Sequence, residues 1–129
     1  MRRRLWSGLA LTAVLAAGCG NSEPAPVAGD LLVSYYQGGP EPGAMLLRVT
    51  GGPVSDVTAV GGQQVSFASP FTGTTKVVVL GSFATGDLLR IRVPDVNQAT
   101  SYSVHLDQVA DKTTFALIET APYTFTVHK

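Results

Sequence analysis

Cysteine occurs once among the 129 residues, as Cys19. A disulfide within the chain is thereby excluded, and so are zinc sites built from clustered thiolates. Tryptophan also occurs once, as Trp6, so past the first segment any planar stacking platform for a sugar would have to come from tyrosine or phenylalanine. Charged residues make up only 14% of the chain, with nine Lys+Arg against nine Asp+Glu. Without a basic surplus there is no electrostatic footprint for nucleic acid. No apolar run reaches the roughly 20 residues of a membrane-spanning helix. Beyond the first segment, no stretch repeats apolar residues with the 3.6-residue period of an amphipathic helix.

What the chain does have begins with an export leader. Arg2, Arg3 and Arg4 precede an apolar stretch of 13 residues, 5–17, and small residues lead into Cys19 in the order Ala16-Ala17-Gly18-Cys19. A cysteine directly after small residues resembles a bacterial lipobox, with Ala16 where leucine is commonest and Leu15 one place earlier. That resemblance implies a thioether-linked diacylglycerol on the Cys19 thiol and acylation of its freed amine. Two or three chains on one residue make a durable membrane anchor. An ordinary signal peptide stays open beside it, because Ala16 and Gly18 also satisfy the small-x-small rule. The expected division is a signal peptide at 1–18, a lipidated tether at 19–29, and a domain at 30–129. Removing residues 1–18, with their three arginines, leaves 111 residues carrying six of the nine Lys+Arg and all nine Asp+Glu, a mildly acidic chain. The tether reads GNSEPAPVAG, small, polar and proline-containing. The expected location is the cell envelope. Gly20 rather than Asp after the cysteine resembles lipoproteins sent to the outer membrane of a diderm bacterium.

From Asp30 onward, apolar residues alternate with a period of two, punctuated by Gly and Pro. Leu31, Val33 and Tyr35 share one face of a first strand, and Met45, Leu47 and Val49 one face of a second. Residues 54–60 and 63–68 flank Gly61-Gly62 and predict a hairpin, with Thr58, Val60, Val65 and Phe67 on its buried face. Lys76-Val77-Val78-Val79-Leu80 predicts a central strand covered on both faces. Leu89, Ile91 and Val93 alternate with Arg90 and Arg92, Tyr102, Val104 and Leu106 with Ser103, His105 and Asp107, and Tyr123, Phe125 and Val127 with Thr124, Thr126 and His128. Residues 109–119 suit either a helical turn after Asp111 or a strand. Eight or nine short strands predict an all-β, jelly-roll or Greek-key sandwich, with a barrel as the alternative. At about 100 residues one hydrophobic core is feasible.

Catalytic patterns are scarce. His105 and His128 sit on different predicted strands, outward by alternation, with no cysteine partner. His105 and Asp107 share a face, yet no nucleophile accompanies them. Ser34, Ser55, Ser66 and Ser103 occupy strand positions, and none lies in a G-x-S-x-G elbow. Asp87 reads as a turn or strand-edge residue. Asp95, Asp107 and Asp111 fall in or near loops and offer oxygen ligands, but no D-x-[DN]-x-[DN]-G loop is present. No enzyme activity, metal or cofactor is expected.

Recognition residues are sought among exposed aromatics and cations instead. Tyr35-Tyr36 sends one ring inward and one outward, which makes Tyr36 a candidate contact and leaves an ordinary edge-strand tyrosine as the alternative. Arg48, Arg90 and Arg92 are all expected to point outward. Gathered, they would form a cationic face for carboxylates; scattered, they are solvated strand positions.

The segments Gly43-Ala44-Met45-Leu46-Leu47-Arg48-Val49, Val54-Ser55-Asp56-Val57-Thr58, Val77-Val78-Val79-Leu80-Gly81 and Gly86-Asp87-Leu88-Leu89-Arg90-Ile91-Arg92-Val93 together resemble cohesin domains, over roughly residues 30–127. The resemblance implies a nine-stranded jelly-roll sandwich related to carbohydrate-binding modules, which docks a calcium-loaded dockerin on one sheet face. The function expected is a membrane-anchored lipoprotein with a non-catalytic, cohesin-like module for protein–protein recognition or adhesion, its partner dockerin-like or another envelope protein. A structural or assembly factor of the envelope, or a carbohydrate-binding module, is the alternative.

Overall fold

A computed structural model describes residues 24–129. The expected signal peptide and Cys19 lie outside the described residues. Nine strands follow in order: β1 (Gly29–Gln37), β2 (Pro42–Thr50), β3 (Asp56–Ala59), β4 (Gln64–Phe71), β5 (Thr74–Leu80), β6 (Gly86–Val93), β7 (Ser103–Asp111), β8 (Leu117–Ile118) and β9 (Tyr123–His128), with a 3-10 turn at Val96–Ser101 before β7. They form a β-sandwich of two antiparallel sheets, one ordered β3-β6-β1-β9 and the other β4-β5-β2-β7-β8. Only β4–β5 and β7–β8 are sequential neighbours in one sheet, and every other connection crosses between layers.

Alternation dictates which side chains meet between the sheets. Leu31 and Val33 of β1, and Leu89 and Ile91 of β6, are fully buried from one sheet; Leu47, Val49, Val77 and Val79 of β2 and β5 are fully buried from the other. At one end of this seam the Tyr35 ring lies 6.1 Å from Phe83, 6.2 Å from Tyr123 and 5.6 Å from Phe125. Buried hydroxyls need partners, and these have them. Tyr35 donates to Gln37 Oε1 at 3.1 Å, Tyr102 to the Pro53 carbonyl at 2.8 Å, and Tyr123 to the Pro40 carbonyl. Burial raises all three phenol pKa values above the ordinary tyrosine value. Where β2 leaves its sheet, Gly51 has φ +106°, and a Cβ there would stand 1.8 Å from the Ser101 carbonyl oxygen, so only glycine fits.

Strand register shifts at four places, and bulges at two of them change which side chains point inward. Between Val33 and Ser34 the β1–β6 register slips, so that Leu88 and Leu89 both point inward. Between Leu46 and Leu47 the β2–β7 register slips as well, after which Val109 becomes the inward residue.

Several expectations are corrected. Residues 54–60 and 63–68 are not a hairpin: β3 pairs with β6, β4 pairs with β5, and Gly61-Gly62 carries the chain from one sheet to the other. Val57 rather than Thr58 faces the core, opposite Ile91, and Phe67 is 39% exposed. The tight hairpin turn is Thr72-Gly73, with Gly73 at φ +77°. β5 is covered on one face only, since Val77 and Val79 are buried while Val78 and Leu80 are 40% and 42% exposed. For residues 109–119 the strand reading holds at both ends, in β7 and β8, and between them a single turn is closed by the Phe115 amide donating to the Asp111 carbonyl. There Asp111 accepts from the amides of Thr113 and Thr114 and from the Thr114 hydroxyl, which closes the turn locally and holds the carboxyl pKa below its ordinary value. β1 starts at Gly29, one residue before the expected domain start. The last residues of the expected tether are also pinned, because the Val27 amide donates to Asp95 and the Val27 carbonyl accepts from Val96.

The assignment of faces has a direct consequence for stability. Leu47→Ala should cost about 2–5 kcal/mol, a large share of the roughly 5–15 kcal/mol that holds a domain folded. Val78→Ala on the next strand should cost about 0.5 kcal/mol or less. Urea denaturation of the two variants measures both, and equal losses would contradict the assignment.

Candidate functional site

The outer face of the five-stranded sheet is organised in rows set by strand register. Across one row stand Gln64, Leu80, Ala44, Ala110 and Leu117; across the next, Ser66, Val78, Leu46 and Gln108. Outward positions of a half-solvated sheet are ordinarily polar, yet here six of these nine are apolar. Leu117 is 66% exposed, and a shallow groove of about 300 Å³ runs between Leu46, Val78, Ala110 and Leu117. Phe115, 73% exposed, stands in the turn just before Leu117 with φ +60°, a conformation costly for a bulky side chain.

The third row is charged: Ala68, Lys76, Arg48 and His105. Lys76 and Arg48 stand directly opposite each other, an arrangement that repels. Asp107 resolves it. The β7 bulge places Asp107 and Gln108 consecutively on the outer side, and the Asp107 carboxylate accepts from Lys76 Nζ at 2.7 Å while pairing with Arg48 Nη2 at 3.2 Å. The Lys76 hydrogen bond, followed by the Arg48 contacts, holds the Asp107 pKa below the ordinary carboxylate value. The row therefore keeps a single net positive charge beside the apolar strip.

Of the recognition candidates Tyr36, Arg48, Arg90 and Arg92, Arg48 alone joins this face. Tyr36, 58% exposed, and Arg90 and Arg92 lie on the outer face of the other sheet, so the arginines do not form one patch. Arg92 faces Asp30 at 3.6 Å. His105 and Asp107 do share a face, but the aspartate is held by Lys76 and Arg48. Asp95 caps the 3-10 turn through the Asn97 amide. No group of three metal-ligating side chains occurs among the described residues, and no helix among them is long and apolar enough to cross a membrane.

Sequence reading missed a second grouping, on the four-stranded sheet. Ser34 Oγ donates to Asp87 Oδ1 at 2.6 Å and lies 2.8 Å from His128 Nε2, which is itself 3.3 Å from Asp87 Oδ1. The Ser34 hydroxyl, then His128, hold the Asp87 pKa below its ordinary value. A base-activated nucleophile needs the carboxylate on the far ring nitrogen and the serine proton directed at the near one. Here the carboxylate takes the serine proton itself and shares Nε2, while Nδ1 lies 3.0 Å from the Lys129 carbonyl. The three residues act as a cross-strand clasp joining β1, β6 and β9.

No protein-family model matches the chain, and comparisons with curated proteins and with solved structures find no match either.

Asp107→Asn should leave Lys76 and Arg48 opposed and lower stability by about 0.5–1 kcal/mol near neutral pH. Because the folded-state pKa is depressed, this contribution is present above the ordinary carboxylate range and is lost as pH falls through the lower folded value. Urea titrations of both proteins across acid pH should therefore show their stabilities converging, and a gap that persists in strong acid would contradict the pairing.

Proposed function

We propose that the chain is a membrane-anchored lipoprotein, tethered through Cys19, whose sandwich is a non-catalytic, cohesin-like binding module that holds a protein partner on the outer face of the five-stranded sheet. The observation that carries this reading is the apolar strip of Leu46, Val78, Leu80 and Leu117 where polar residues are the norm. Contiguous exposed apolar surface rimmed by charge marks interaction sites, and the adjoining Lys76–Arg48–Asp107 row supplies such a rim. The complementary ligand is a protein segment presenting aliphatic side chains with an acidic group at one end.

The orientation supports the same reading. β1 starts at Gly29 and ends at Gln37, and only four residues separate it from Pro42 at the start of β2. Ala44, opposite Leu80, therefore lies at the end of the sandwich far from the N-terminal segment. A nine-residue strand spans roughly 27 Å, so a tether entering at Gly29 leaves the strip at the end of the sandwich distant from its attachment.

Two measurements test the two halves separately. Cys19→Ser should move the protein from the membrane to the soluble fraction and abolish lipid labelling; unchanged retention would overturn the anchor. Val78→Glu combined with Leu80→Glu should weaken capture of the principal partner from envelope extract at least about tenfold, whereas Tyr36→Ala should leave it intact. Equal capture by all three proteins would overturn the assignment of the face.

A further inference from the structure

The two sheets present four strand edges, and three are blunted. β3 has four residues and opens with Asp56, β8 has two residues, and β9 ends in the His128 clasp and runs beside β7 of the other sheet. Short, charged or covered edges are how sandwiches avoid unwanted pairing. β4 is different. It has eight residues, all exposed except the half-buried Val65, and residues 57–75 around it contain no charged side chain. Val65 and Phe67 have core-side parity, opposite the buried Val79 and Val77, yet Phe67 remains 39% exposed.

We propose that β4 pairs antiparallel with the β4 of a second copy of this chain, joining two five-stranded sheets into one continuous sheet. A two-fold axis sets identical residues against one another, so a self-pairing edge has to be free of charge, and this one is. Keeping core-side residues on the same side in both copies requires the axis to pass through a residue rather than between two. Centred on Phe67, the register places the two Phe67 rings together, Val65 against Ser69, and Ser66 against Ala68. Paired aromatics are among the favourable cross-strand contacts. Pro70, which has no amide hydrogen to donate, then falls at the end of the ladder, next to the register shift between Ala68 and Phe71. A single short ladder buries less than the roughly 1,200 Å² of a standard interface. The association is accordingly weak in dilute solution and favoured where copies are concentrated on one surface.

Sedimentation equilibrium of the full chain in detergent and reductant, over a wide concentration range, tests the pairing. Monomer and dimer should exchange with concentration. Phe67→Lys, which sets two like charges across the axis, should weaken the dimer at least about tenfold, and mixing Phe67→Lys with Phe67→Glu should restore it as a heterodimer. Val78→Glu combined with Leu80→Glu, on the outer face, should leave dimerisation unchanged, which separates this interface from the partner face. Circular dichroism checks that each variant is folded. In the native chain, hydrogen exchange at residues 64–69 should slow as concentration rises, a readout that needs no variant. A native chain that stays monomeric throughout, or a folded Phe67→Lys variant that dimerises as the native chain does, would overturn the proposal.

Discussion

The apolar seam between the two sheets is the constraint on which the rest depends. The described residues contain no cysteine, so no covalent staple shares the load, and the layers hold together because Leu31, Val33, Leu89 and Ile91 bury against Leu47, Val49, Val77 and Val79. Hydrophobic burial of this kind is non-directional and does not by itself choose a strand order. The order follows from crossing connections that place successive strands in opposite layers. It is then fixed by register, since a slip of one residue would turn an entire apolar set to solvent.

The two bulges show how one device serves both layers. On β6 the extra residue adds Leu88 to the seam beside Leu89, thickening the core where the aromatic group of Tyr35, Phe83 and Tyr123 begins. On β7 it acts in the opposite sense and exposes Asp107 and Gln108 together. Asp107, outward by the same alternation as His105, lies within reach of Lys76 and Arg48, and the displacement turns Gln108 outward beside it.

Much of this was legible in the sequence, for a physical reason. Where one sheet face is buried and the other wet, the two-residue period shows it, so the inward sets of β1, β2, β6 and β9 read correctly. One failure falls where the outer face is apolar. Val78 and Leu80 made β5 look covered on both sides, because composition reports that a side chain is apolar without reporting what stands over it. Gly61-Gly62 suits a hairpin turn and equally suits a crossing between layers, and only pairing partners distant in sequence distinguish the two. The same limit hid the Ser34–Asp87–His128 clasp, whose members come from three strands, and the separation of Arg48 from Arg90 and Arg92 onto opposite faces.

That misreading of β5 points to what the surface costs the protein. Glu or Lys at 46, 78 or 80 would serve an outward strand position and improve solubility without touching the seam. Aliphatic residues there, and a charge-free β4 edge beside them, bring no benefit to a lone sandwich and expose it to association. Elsewhere the same chain protects itself: β3 opens with an aspartate, β8 is two residues long, and the outer face of the four-stranded sheet carries Asp30, Arg90, Arg92 and Asp87. The contrast between the two outer faces is therefore a property of the sequence rather than a shortage of charge, and it concentrates exposed apolar and uncharged surface in one sheet of the two.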